Sequence, residues 1–172
     1  MDTFIPLFVA FAVGVGSSVQ IAMIGGMARV RSAPEATFTS LMATVAGVAI
    51  VLAIRGMRGD APFFHMPMDR GWAFLVVAAV SGALLVLSMR GLHPAYAITG
   101  IFATLFLLGT AWLVPKIGIA LYFGATTAGT LVGAMIFDQF GAFGAQATSL
   151  SPLRILGVLA VFGGVILVRI AR

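Results

Sequence analysis

The sequence predicts an all-α fold, a polytopic transmembrane helical bundle that forms a single domain over residues 1–172. Of its residues 61% are hydrophobic and only 9% are charged, whereas a soluble domain carries about 25% charged residues. The apolar residues fall in long blocks and do not alternate with polar residues as they do in strands. Uncharged blocks of about 18 residues or more are typical of helices that cross a bilayer.

Six such blocks are separated by charged residues and prolines, over residues 3–27, 36–54, 72–89, 95–114, 117–137 and 153–168. At about 1.5 Å per residue each block can cross hydrocarbon roughly 30 Å thick, the last one only just. The prolines support these borders, because all of them except Pro6 are expected between blocks. We therefore expect six membrane-spanning helices.

The basic residues predict how the helices are oriented in the membrane. With six spans, one side receives Arg55, Arg58, Arg70, Lys116, Arg169 and Arg172, and the other receives Arg29, Arg31, Arg90 and Arg154. The positive-inside rule then places both termini in the cytoplasm, although so small a bias would let the chain insert both ways up. We attribute the net charge of +5 to these topology signals and to contact with the lipid bilayer, and we expect no nucleic-acid partner.

Residue types that carry catalysis or bind metals are scarce in this chain. There is no cysteine, and the two histidines lie in separate loops. The acidic residues all lie at block edges or in loops, and they are Asp2, Glu35, Asp60, Asp69 and Asp138. We therefore expect no catalytic residue, no metal site and no cofactor, and we do not expect an enzyme.

A few polar side chains lie inside the apolar blocks, and each of them has two interpretations. Gln20 either ties two helices together by hydrogen bonds or faces a substrate cavity together with Ser17. The hydroxyls of the other candidates either bond to their own helix backbone or line a substrate pathway, and these residues are Ser40, Thr44, Thr126, Thr127 and Thr130. The sequence alone leaves these alternatives open.

Small residues recur at four-residue spacing in the first and fifth blocks. These ridges, which include Gly14, Ser18, Gly26, Gly129 and Gly133, predict close helix packing. The aromatic residues Trp72, Tyr96 and Trp112 fall near block ends, where aromatic belts lie. Asp138 is expected to close the fifth block, and it either marks the membrane interface or pairs with Arg154.

Two stretches of the chain are similar to a known family. Residues 14–56 carry a glutamine in the first helix, a basic turn with a Ser/Pro element and a second helix with an inner Ser and Gly, at Gln20, Pro34, Ser40 and Gly47. Residues 115–168 carry a Pro-basic-x-Gly turn, a glycine-bearing helix and a D-x-F-G-x-F-G tail, at Pro115, Lys116, Gly118, Gly129, Asp138, Phe140, Gly141, Phe143 and Gly144. Both stretches resemble the YdcZ-like family of small bacterial inner-membrane proteins in the drug/metabolite transporter superfamily.

The resemblance implies a multi-pass transporter of the bacterial inner (cytoplasmic) membrane that exports a small metabolite or drug-like molecule. Most members of the family have five spans, so five is the alternative to six. A chain of half the usual transporter size implies a homodimer. Because no carboxylate is expected at mid-membrane, we expect a neutral or amphipathic substrate, held by Gln20 and the hydroxyl residues above. Asp138 or Glu35 would be the ion-coupling residue if one exists. The alternative function is a non-transporting membrane subunit or a lipid-interacting scaffold.

Overall fold

The structure is a computed structural model, and it describes residues 4–60, 62 and 64–171. Within these residues the chain forms helices and no strand, which confirms the predicted all-α class. The helices are α1 (Phe4–Val30), α2 (Ala33–Met57), α3 (Gly71–Ser88), α4 (Thr99–Ile117), α5 (Ile119–Phe140) and α6 (Pro152–Ile170). Short 3₁₀ turns cover Pro94–Ile98, just before α4, and Ala142–Gly144, just after α5. All six helices, α4 together with the turn before it, are long and apolar enough to cross a membrane.

The helix ends follow from local side-chain chemistry. Ser32 and Glu35 form a reciprocal capping box at the start of α2, with Pro34 in its first turn. The Ser151 hydroxyl accepts a hydrogen bond from the backbone N–H of Arg154 and so caps α6. At the end of α5, Gly141 adopts the left-handed conformation (φ 60°) that glycine allows without strain. These caps satisfy backbone groups that would otherwise be unpaired where the helices end.

The predicted positions of Pro115 and Asp138 outside the helices are wrong. Pro115 was expected between blocks but lies inside α4, which continues to Ile117. The helix ends only where Gly118 takes a φ of 79°, since a conformation outside the helical region stops a helix whatever the residues before it. Asp138 was likewise expected to close its helix, but α5 continues to Phe140. Charge marks where the hydrocarbon ends and does not by itself end the helix.

Other helices also extend past their apolar blocks. The first block was expected to end at residue 27, whereas α1 reaches Val30 and has Arg29 in its last turn. The second was expected over 36–54, whereas α2 covers Ala33–Met57 and has Arg55 in its last turn. A positive side chain is favourable at a helix C-terminus, so these arginines continue the helix beyond the apolar segment.

The chain divides into two compact units, and the prediction of a single domain stays a prediction. The first unit comprises Met1–Gly26 and Leu105–Arg172, and the second comprises Met27–Thr104. The core of the first unit is formed by Ala10, Leu113, Ile117, Leu121, Tyr122 and Ala125. In the second unit α2 and α3 pack together around Ala49, Ala53 and Phe74. Each unit therefore has its own apolar core.

Small residues let the helices of the second unit approach closely. Gly56 of α2 and Gly71 of α3 lie backbone against backbone, and a Cβ on either one would crowd the other helix. Gly100 of α4 lies against Ala43 of α2 in the same way. The guanidinium of Arg31 donates a hydrogen bond of 2.9 Å to the carbonyl oxygen of Ser88 at the end of α3. This bond satisfies a carbonyl that the end of α3 leaves unpaired.

Candidate functional site

In the first unit α1 and α5 are in close backbone contact. A Cβ added to Gly14 would collide with the backbone carbonyl of Thr126, and one added to Gly129 would collide with the carbonyl of Phe11. Gly133 lies against the hydroxyl of Ser18 in the same manner. Helices separated this little gain many dispersion contacts, which is how small residues stabilise membrane helix pairs. Gly26, the remaining member of the α1 ridge, is buried.

Two of the candidate threonines take part in this helix contact. The Thr126 hydroxyl donates to the Tyr122 carbonyl oxygen at 2.8 Å, within its own helix. The Thr130 hydroxyl lies 2.9 Å from the Thr126 carbonyl oxygen and 3.1 Å from the Gly14 carbonyl oxygen of α1. Thr127 is exposed and forms no hydrogen bond with any described residue. Thr126 and Thr130 therefore support the helices, and of the three only Thr127 has a hydroxyl without a partner among the described residues.

Gln20 and Ser17 lie on a different face of α1. Both are half-buried, and neither side chain forms a hydrogen bond with a described residue. At helical spacing they lie on the same face of α1 as Val13, and the Val13 side chain packs against Gly109 of α4. An amide within an apolar helix is costly when it has no partner. Among the described residues, therefore, no partner supports Gln20 as a tie between helices.

Ser40 and Thr44 belong to the second unit. Ser40 is buried, and the Thr44 hydroxyl donates to its carbonyl oxygen at 2.7 Å. The Thr104 hydroxyl of α4 approaches the Thr44 carbonyl oxygen at 3.5 Å and lies against Gly47. The Ser40 hydroxyl forms no hydrogen bond with a described residue. Like Thr126, Thr44 uses its donor within its own helix, whereas Ser40 keeps its hydroxyl free.

The two candidate ion-coupling residues are occupied at helix ends. A carboxylate oxygen of Glu35 accepts the backbone N–H of Ser32 at 3.1 Å within the capping box. A carboxylate oxygen of Asp138 lies 3.3 Å from the guanidinium of Arg154, which is the pairing that the sequence raised as an alternative. Both carboxylates therefore have local structural partners. Among the described residues no group of acidic and histidine side chains could hold a metal ion.

The D-x-F-G-x-F-G tail forms a tight turn after α5. Gly141 (φ 60°), Phe143 (φ 57°) and Gly144 (φ 77°) all lie in the left-handed region. The backbone N–H of Thr148 returns to the Asp138 carbonyl oxygen at 2.8 Å, which closes the turn. The glycines of this motif are therefore explained by backbone conformation.

A buried hydroxyl pair was missed by the sequence interpretation. The Thr110 hydroxyl of α4 lies 2.6 Å from the Tyr122 hydroxyl of α5, and the Tyr122 side chain is almost fully buried. Thr110 lies eight residues before Gly118 and Tyr122 lies four residues after it, so no spacing in the sequence pointed to this contact. Trp72 and Trp112 are exposed as expected of belt residues, and the Lys116 ammonium lies 3.5 Å from the centre of the Trp112 ring.

The fold and its charges define the class of protein to which this chain belongs. Within the part of the chain that the structure describes, six apolar helices with charged residues at their ends form a multi-pass membrane protein. The model of a family described as "Putative inner membrane exporter, YdcZ" matches residues 73–167, more than half of the chain. The chain belongs to this family and is a protein of the inner membrane. The match includes the D-x-F-G-x-F-G tail, whereas residues 14–56 lie outside it. No curated protein and no solved structure matches the chain.

Proposed function

We propose that this member of an inner membrane exporter family transports a neutral or amphipathic small molecule, and that Gln20 and Ser17 bind its polar groups. The observation that carries the proposal is the amide of Gln20, which lies in the middle of an apolar helix and has no partner among the residues that the structure describes. Polar groups inside membrane helices are costly and commonly mark substrate pathways. A ligand that accepts and donates hydrogen bonds would satisfy this amide without leaving a charge in the hydrocarbon.

The positions of the charges support a substrate without a fixed positive charge. A cation held in a cavity of amide and hydroxyl dipoles would lack the opposite charge needed to offset its lost hydration. The carboxylates of Glu35 and Asp138 lie at helix ends and already have partners there. Either carboxylate would have to leave its partner to serve as an ion-coupling site. The competing proposal is that one of them does so.

The hydroxyl residues differ in what they would offer to such a substrate. Ser40 and Thr127 have hydroxyls with no described partner, so each of them would donate or accept a hydrogen bond. The hydroxyls of Thr44, Thr126 and Thr130 already donate to backbone carbonyls. Because a hydroxyl oxygen also has acceptor lone pairs, these three would contribute as acceptors only.

The proposal includes a homodimer, and α6 offers the surface for it. The small-residue ridges of α1 and α5 are used against each other, so they are not free for a second copy. No residue of α6 is buried, and a Cβ on Gly157 or Gly164 would meet nothing within 4 Å. These glycines and Ala160 lie on the face of α6 opposite Phe162, whose ring contacts α1. A second copy would bury this smooth apolar face.

Uptake into inverted membrane vesicles, which corresponds to export from the cell, tests the transport proposal. The panel contains neutral, amphipathic and cationic metabolites. Gln20→Leu should reduce transport of an accepted substrate roughly fivefold to tenfold, since one hydrogen bond to the substrate is lost. Its thermal stability should not fall, because no described partner loses a bond. Gln146→Leu is the matched control, since this exposed glutamine lies in the connection after α5.

Three outcomes would contradict the proposal in different ways. Unchanged transport by Gln20→Leu would remove Gln20 from the binding site. A clear loss of thermal stability in that variant would make Gln20 a tie between helices. Transport of no panel member by the wild-type protein would favour the alternative of a membrane subunit or lipid-interacting scaffold.

A further inference from the structure

An apolar cavity of about 340 Å³ lies between α1, α5 and α6 of the first unit. Its walls include Phe4, Phe8 and Phe11 of α1, Ala128 of α5, and Phe162 and Arg169 of α6. The small alanine side chain on α5 leaves room there, while the rings of Phe11 and Phe162, with centroids 5.7 Å apart, lie at the inner end. None of the polar residues assigned to the transported substrate lines this cavity.

Among the described residues that line the cavity, Arg169 is the one with a charge, and it lies at one end. Arg169 lies in the last turn of α6, and its guanidinium forms no hydrogen bond or ion pair with a described residue. From Arg169 to Phe162 the helix descends about two turns, or roughly 10 Å, into apolar surroundings. The aliphatic stem of Arg169 therefore helps to line an apolar interior, and its charge lies at the end of α6. This combination is complementary to an amphiphile with an anionic head and a hydrocarbon chain.

The rim of the cavity is apolar and exposed. Phe4 (67% exposed), Phe8 (65%) and Ile166 (56%) are large apolar side chains that a multi-pass protein presents to lipid. A ligand that entered from water would have to cross this apolar rim, whereas the chain of a neighbouring lipid is already beside it. The end of a membrane helix is also the level at which lipid phosphates lie, and arginine binds phosphate by paired hydrogen bonds.

From the charge and shape of this cavity we infer that it binds an anionic phospholipid of the surrounding leaflet, with one acyl chain between α1, α5 and α6 and the phosphate at Arg169. The site is separate from the residues proposed for the transported substrate, so it does not depend on the transport proposal. Lipid bound there would fill the space beside α6 and hold that helix, which has no buried residue of its own, against the rest of its unit.

Native mass spectrometry of the full chain tests this inference, with equal amounts of phosphatidylglycerol and phosphatidylcholine that carry the same acyl chains. The wild-type protein should retain phosphatidylglycerol preferentially. Arg169→Gln should lower that preference about tenfold, because the charge-assisted hydrogen bonds to the phosphate are lost. Arg58→Gln is the matched control, since Arg58 is an exposed arginine at the end of α2, on the same predicted side of the membrane.

Filling the cavity tests the position of the acyl chain. Ala128→Leu should reduce retention of phosphatidylglycerol. Ile166→Trp, which changes only the exposed rim, should also reduce it and replaces the first variant in the test if that variant does not fold. Equal losses in Arg169→Gln and Arg58→Gln would show attraction to the surface charge alone and overturn the inference. Full retention by a folded filled variant would also overturn it. Retention of oleate without retention of phosphatidylglycerol would assign the cavity to a single-chain carboxylate instead.

Discussion

The carboxylate of Asp138 lies 3.3 Å from the guanidinium of Arg154, and this ion pair joins the last turns of α5 to the first turn of α6. About half of each side chain remains exposed, at 44% for Asp138 and 40% for Arg154. The same aspartate accepts the backbone N–H of Thr148 through its carbonyl oxygen. The acidic residue of the D-x-F-G-x-F-G tail thus has a structural role in the connection between these two helices.

Asp138→Asn is therefore expected to lower the free energy of unfolding by less than about 1 kcal/mol, because a partly exposed ion pair contributes little. Transport should persist. Arg154→Gln should have the same small effect, and the double variant should lose no more than either single one. Thermal unfolding in detergent and uptake into inverted vesicles measure both properties. Loss of transport in Asp138→Asn but not in Arg154→Gln would identify Asp138 as the ion-coupling residue and contradict the structural assignment.

Gly129 and Gly163 form a matched pair for testing helix packing. A Cβ at Gly129 would collide with the Phe11 carbonyl, so Gly129→Ala should destabilise the protein by roughly 1–3 kcal/mol. A Cβ at Gly163 meets nothing within 4 Å, so Gly163→Ala should be neutral or stabilising by up to about 1 kcal/mol. Unfolding of both variants in the same detergent measures the difference. Equal effects would mean that α1 and α5 are not in close contact.

The number of spans predicts which loops share a side of the membrane. If all six helices span, position 65 lies on the cytoplasmic side and positions 93 and 146 lie on the opposite side. The chain has no cysteine, so His65→Cys, His93→Cys and Gln146→Cys each introduce a single label site. An impermeant thiol reagent added to intact cells should react at 93 and 146 only. Labelling of 65 and 93 from one side would show that α3 does not cross the membrane.

The proposed dimer surface on α6 predicts disulfide cross-links. Two copies of α6 in parallel would bring Gly164→Cys of one copy near Gly164→Cys of the other, so this variant would cross-link with itself. In an antiparallel pair, cross-links should form only when the Gly157→Cys and Gly164→Cys variants are mixed. Gly82→Cys on α3, where a Cβ also meets nothing within 4 Å, is the control. Native mass spectrometry that shows only monomer at all concentrations would contradict the dimer.

The sequence by itself determined the all-α membrane class and the six helices, and the helix caps, although local in sequence, were seen only in the structure. Apolar length, charge placement and a capping box such as Ser32 with Glu35 depend on residues close together in the chain, so they can be predicted locally. The exact helix ends were less predictable, as Pro115 shows, because the backbone conformation at Gly118 and not the proline ends α4.

Only the tertiary structure decided which face of each helix meets which neighbour. The contact of Thr130 with Gly14 joins residues more than one hundred positions apart, and the apolar cavity that Arg169 helps to line needs three helices. The sequence also left open whether Gln20 has a partner. Every helix here is apolar around most of its circumference, so hydrophobic periodicity does not fix its rotation. In α1 to α5, close contacts between glycines and the backbone of a neighbouring helix fix that rotation instead, and they exist only once the helices are packed.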